Sequence, residues 1–127
     1  MSSKEISEEI IKILNEKKAG NVSAIHVADK TTLAEYFVMA SANTITHVRS
    51  LANEVKFKLE EEHQLSPIGV EGIESGRWVV LDYNSVIVHL MHREERDFYQ
   101  LDNYWEKKEA EEISPQDKFH EDNLSNL

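Results

Sequence analysis

The sequence predicts a mixed α/β fold, a sheet of about five strands flanked by helices. Apolar residues recur at helical spacing near the start and again from Thr44, while the stretches between and after them carry β-branched runs or period-two alternation. Helical and strand segments follow one another without a repeat, which is the pattern of helices packed on a sheet. With 127 residues, 40% hydrophobic and 30% charged, the chain has material for one domain with a modest core.

In chain order, "SSKEISEEIIKILNEKKAG" sets Ile6, Ile10, Ile13 and Leu14 on one helical stripe. A serine at either start position is followed by Glu, and Gly20 is the expected stop. "NVSAIHVADK" then changes to period two, and "LAEYFVMASA" is a denser apolar run that fits a strand buried on both faces. From Thr44, residues Ile45, Val48, Leu51, Ala52, Val55 and Leu59 form a second stripe opposite Arg49, Lys56, Lys58 and Glu60. That helix, at about 1.5 Å per residue, is about 30 Å long and able to span a sheet. "SPIGVEG" reads as a short strand and "ESG" as a turn. "RWVVLDYNSVIVHLM" gives two strands around a tight connection at Tyr83 to Ser85, where Asn84 tolerates a left-handed backbone. Short helical turns follow. The order is α-β-β-α-β-β-β, and residues 106–127, which hold Pro115 and lose periodicity, are expected to form a flexible acidic tail behind a domain of residues 1–105.

Composition narrows the function. Twenty-four acidic against 14 basic side chains give −10 at pH 7, a field that repels phosphate backbones and acidic membranes and favours a basic partner. The domain carries 17 acids and 11 bases and the tail 7 and 3, so neither part offers a basic stripe. No apolar run approaches the roughly 18 residues of a membrane helix, and the start lacks a secretion profile, so the expected location is cytoplasmic. Without cysteine, disulfides, thiolate metal sites and a cysteine nucleophile are out of reach.

Candidate chemistry is sparse. His89 and His92 are three apart, but in a strand they point to opposite sides, and no third ligand is spaced nearby, so no metal or cofactor is expected. His89 is expected to pack or hydrogen-bond within the sheet. Glu71 and Asp82 fall on neighbouring strands and could present two carboxylates to magnesium, yet nucleotidyl transfer uses acids two apart on one strand after a Gly-Ser loop. Neither feature is present, nor is a G-x-S-x-G or a G-x-x-x-x-G-K. Arg93 and Arg96 could stack bases, but Glu94, Glu95, Asp97 and Asp102 cancel their field, so direct nucleic-acid binding is not expected. What remains is an aromatic cluster: Arg77 and Trp78 open one strand, and Phe98, Tyr99, Tyr104 and Trp105 follow the next. Such residue types dominate binding hot spots. Phe98, Leu101 and Trp105 are expected to turn inward as a lid, with Arg77, Trp78 and Tyr99 partly exposed.

These residues also carry a resemblance. Val70-Glu71-Gly72, Trp78 to Asp82, Val86 to Met91, Glu95 to Tyr99, Leu101 and Trp105, with Ala34 to Ala42 and His47-Val48 upstream, resemble the ribosomal silencing factors, or Iojap family, over residues 4–105. The resemblance implies a fold like that of nucleotidyltransferases without their catalytic carboxylates, and no enzymatic activity. It implies binding to the large ribosomal subunit through large-subunit ribosomal protein fourteen, a steric block on subunit joining that represses translation when nutrients are scarce, and a homodimer off the ribosome. The expected partner-binding residues are Glu71, Arg77, Trp78, Asp82, Met91, Arg96, Tyr99 and Leu101. The alternatives are a nucleotide-transferring enzyme of the same fold, or a dimeric adaptor acting away from the ribosome.

Overall fold

The computed structural model describes residues 1–99. Leu101, Trp105 and the expected tail of residues 106–127 lie outside the described residues. Helix α1 (Ser3–Glu16) opens on a reciprocal cap: Ser2 Oγ accepts from Glu5 N at 3.1 Å, and Ser2 N donates to Glu5 Oε1 at 2.8 Å. That second bond is the main reason the Glu5 carboxyl sits below its ordinary value. The expected stop at Gly20 falls earlier. Lys18, with φ 62°, takes the left-handed position, Ala19 N donates to Leu14 O, and Gly20 begins the next strand.

Strands β1 (Gly20–His26) and β2 (Tyr36–Ala42) pair antiparallel. An extra residue between Gly20 and Ser23 shifts the register, and Asn21 turns left-handed there. Helix α2 (Ile45–His63) is capped by Thr44, whose Oγ1 accepts from His47 N at 3.0 Å. Strand β3 (Gly69–Glu71) leads to β4 (Trp78–Asp82) and β5 (Val86–His92), and α3 (Arg93–Tyr99) follows directly. The β4–β5 hairpin turns at Asn84, φ 72°, whose N–H donates to Asp82 Oδ1 at 2.7 Å.

The sheet order is β1-β2-β5-β4-β3, with β2 and β5 parallel and the other pairs antiparallel, as the predicted mixed five-stranded fold requires. Its two faces differ. On one, α1 and α2 pack Ile10, Leu14, Leu51, Val55 and Leu59 onto Val38, Ala40, Val79, Leu81, Val88 and Leu90. The other face buries Ile25, Val27, Phe37, Met39, Trp78, Val80, Ile87 and Met91, and Tyr99 of α3 packs against it. Both faces of β2 and β5 are therefore interior, which explains their unbroken apolar runs.

A candidate partner-docking surface

The candidate surface is built where β4 begins and β5 ends. Antiparallel pairing sets Trp78 opposite Met91, and His92 N donates to Arg77 O at 2.8 Å, so the residues after His92 start α3 beside Arg77. Two arginines then fasten that seven-residue helix. Arg77 Nη2 donates to Glu94 Oε1 and Glu95 Oε1, both at 2.8 Å, and its Nε bonds Glu95 Oε2. These bonds, Glu95's first, raise the guanidinium's proton affinity above its ordinary value. From the far side, Arg96 Nη1 donates to Asn21 O and its Nη2 to Ser23 Oγ at 3.2 Å, tying α3 to β1.

Beneath the helix lies an aromatic stack. Tyr99 meets Trp78 at 5.0 Å between ring centroids, Trp78 meets His89 at 6.0 Å, and Phe37 meets His89 edge-on at 5.0 Å. Trp78 Nε1 donates to His89 Nδ1 at 3.2 Å, which fulfils the expectation that His89 hydrogen-bonds within the sheet. The expectation of a partly exposed Trp78 is corrected: the side chain is 3% exposed, and Met91 is fully buried. Strand β4 is covered on both faces, so its first residue closes the core and does not rim it. Phe98 is corrected in the opposite sense. It is 78% exposed and stands edge-on to Tyr99 at 4.9 Å, pointing out and not in. Tyr99 and Arg77 are half-buried, as expected.

The other predicted residues scatter. Glu71 is exposed on edge strand β3 opposite Val80, whereas Asp82 sits at the far end of β4 and shapes the hairpin turn. The two carboxylates lie on neighbouring strands as expected. The structure thus brings Arg77, Trp78, Met91, Arg96 and Tyr99 together around α3 and leaves Asp82 apart, while Leu101 is outside the described residues. Sequence reasoning missed Phe98 as an outward group, and a helix of seven residues offers too few turns for a stripe to reveal it.

One grouping of possible metal ligands occurs among the described residues: His92, Glu94 and Glu95 lie within 4.8 Å of one another. Its donors are engaged. His92 Nδ1 accepts from Glu94 N at 3.2 Å, its Nε2 lies 3.0 Å from Asn43 O, and Arg77 holds both carboxylates. The arrangement is a fastening for α3.

With this geometry in place, the comparisons with known proteins decide the family. The family described as "Ribosomal silencing factor during starvation" matches residues 1–126. The chain belongs to this family. It is 31% identical over 105 residues to the ribosomal silencing factor RsfS of Halalkalibacterium halodurans, covering 83% of this chain and 89% of that one. It is 33% identical over 105 residues to the RsfS of Chromobacterium violaceum, covering 83% and 85%. An X-ray structure of a protein from Chromobacterium violaceum superposes with a TM-score of 0.78 at 33% identity, covering 83% of this chain and 87% of that one. The resemblance read from Val70 to Trp105 and the α/β architecture are both upheld. No described helix is long and apolar enough to cross a membrane.

Proposed function

We propose that the protein silences ribosomes by occupying space: it docks on large-subunit ribosomal protein fourteen and keeps the small subunit from joining, without catalysis. Membership of the ribosomal silencing factors supports the ribosomal role. The observation that carries the docking surface is the outward side of α3. There Phe98, the most exposed of the large hydrophobic residues described, stands among Glu94 and Asp97, both exposed. An apolar centre within a charged rim is the usual anatomy of a recognition patch, and about 800 Å² per partner would suffice. Tyr99 and Arg77 extend the patch, Arg96 flanks it, and Trp78 and Met91 support it from below. Acidic groups around an apolar anchor suit a basic ribosomal protein, and a net charge of −10 works against direct contact with ribosomal RNA.

The test is sucrose-gradient sedimentation of purified subunits with and without the protein. It should travel with the large subunit and deplete joined ribosomes. Phe98→Ala, which trims a solvent-facing ring and spares the core, should weaken co-sedimentation about 30-fold, the loss of roughly 2 kcal/mol expected of an anchor. Joined ribosomes forming normally under saturating protein would overturn the proposal, whereas unchanged binding by Phe98→Ala would only move the anchor elsewhere. The family resemblance also supports a homodimer off the ribosome and a cytoplasmic location. Sedimentation equilibrium tests the dimer: a monomer at micromolar concentration would exclude it.

A further inference from the structure

A second polar feature lies away from the Phe98 surface, at the carboxyl ends of the two parallel strands. Strands β2 and β5 run side by side and end together, Ala42 opposite His92. Open α/β sheets hold ligands in the crevice beyond such ends. Here that crevice is a cavity of about 180 Å³ whose lining includes Lys18, Asn21, Ser41, Asn43, His47 and Arg93. Three cation-forming side chains and no acidic one line it, in a chain where acids outnumber bases by 24 to 14.

Two of the three, Lys18 and Arg93, are uncommitted. Among the described residues neither Lys18 nor Arg93 makes an ion pair or hydrogen bond through its side chain, whereas Arg77 and Arg96 on the same end of the sheet are engaged by carboxylates or by β1. The walls, by contrast, are fixed. Ser41 Oγ donates to Gly20 O at 3.3 Å, Asn43 O accepts from His92 Nε2 at 3.0 Å, and His47 Nε2 lies 3.0 Å from Lys17 O. Rigid walls around free charge are what a binding site needs before its ligand arrives. Lys18 adds a separate indication. It occupies the left-handed position closing α1, where glycine is the favoured residue, so a long cation stands at the cavity at a cost to backbone stability. The start of α2, with no acidic side chain in its first turn, contributes further positive potential.

We propose that this cavity binds the phosphate group of a small phosphorylated anion, with Arg93 and Lys18 as its counter-charges. A volume of about 180 Å³ lies below the roughly 300 Å³ at which whole drug-sized ligands are held, so the phosphoryl or diphosphoryl end enters and the remainder stays outside. The global charge of −10 disfavours a polyanion such as RNA over a small ion. The inference is independent of ribosome docking, because it uses neither Phe98 nor Tyr99.

The experiment is a titration of the full-length, ¹⁵N-labelled chain with pyrophosphate at constant ionic strength, read by amide shifts. Saturable shifts are expected at residues 18–21 and 43–47, and sparing of β3 and β4. Arg93→Gln should weaken binding about tenfold, the loss of one charge-assisted contact. Lys18→Gly should weaken binding likewise while raising the melting temperature, a combination that loss of folding cannot produce. No saturable shift up to about 20 mM pyrophosphate, affinity unchanged from the unsubstituted chain in both variants, or response of these amides to an RNA oligomer but not to pyrophosphate would each overturn the assignment.

Discussion

Replacing Trp78 by Phe separates a buried support from an exposed anchor. Aromatic side chains bury roughly 150–250 Å² each, so trimming indole to phenyl withdraws about 50 Å² of apolar contact, worth about 1 kcal/mol at ~25 cal/mol per Å². The change also removes the N–H that donates to His89 Nδ1 in a fully buried setting, and depriving a buried polar atom of its partner costs about 1–3 kcal/mol. Together these predict a loss of about 2–4 kcal/mol in folding stability. Urea unfolding followed by circular dichroism, at unchanged slope, measures it. Large-subunit co-sedimentation in the absence of urea, where the variant is still folded, should change by no more than about threefold, because the ring does not reach the surface. A stability cost under about 1 kcal/mol together with lost co-sedimentation would refute this reasoning and return Trp78 to the interface.

Other substitutions test the same architecture. The Tyr83 hydroxyl is buried with no hydrogen-bond partner among the described residues, so Tyr83→Phe should stabilise the fold by about 1 kcal/mol. Burial, with a smaller contribution from Glu60, pushes the Tyr83 phenol up to about 12. The folded state therefore keeps this proton after the unfolded chain has released it near pH 10, stability falls as pH rises from 10 towards 12, and the part due to Tyr83 should vanish in the Phe variant. Gly72 has φ 83° and a Cβ there would collide with the Trp78 carbonyl, which strand pairing holds in place. Gly72→Ala should cost about 3 kcal/mol by thermal denaturation. Arg77→Gln should speed hydrogen exchange in α3 several-fold and leave the core strands unaffected, whereas uniform acceleration would mean that Arg77 supports the whole fold.

The two long helices were legible because one face of each is wet. Ile6, Ile10, Ile13 and Leu14, and Val48, Leu51, Val55 and Leu59, stand out at helical spacing because most of the intervening positions, Ser7 and Ala52 apart, are polar and less buried. The same contrast fails where both faces are dry. In "WVVLD" the residues towards the helices, Val79 and Leu81, and those on the opposite face, Trp78 and Val80, are all buried, so nothing in the pattern tells an inward tryptophan from an outward one. The bulge after Gly20 is hidden for another reason, since the extra residue shows only in the register against β2, which a pattern read along one strand does not record. Lys18, a non-glycine residue in a left-handed backbone, defeats the glycine rule for helix ends. Tertiary ties were beyond reach entirely: Arg96 lies 75 positions from Asn21, and a pattern read over neighbouring residues cannot register that contact.

Those ties also decide which charges a partner meets. By sequence, "HREERDFY" is a balanced mixture of three bases, counting histidine, and three acids. In the fold, Arg77 and Arg96 spend their donors on Glu94, Glu95, Asn21 and Ser23, which leaves Arg96 and Glu95 half-buried. Glu94 and Asp97 remain in solvent beside Phe98, so the outer side of α3 around the exposed ring is acidic although its composition is not. Arg93, exposed at the start of the same helix, faces the polar cavity instead. One short helix therefore divides its charge by direction: acid around the apolar anchor, where a basic protein surface can approach, and base at the crevice beyond β2 and β5, where an anion can. That division follows from two internal arginine clamps, and loosening either one should blur both surfaces at once.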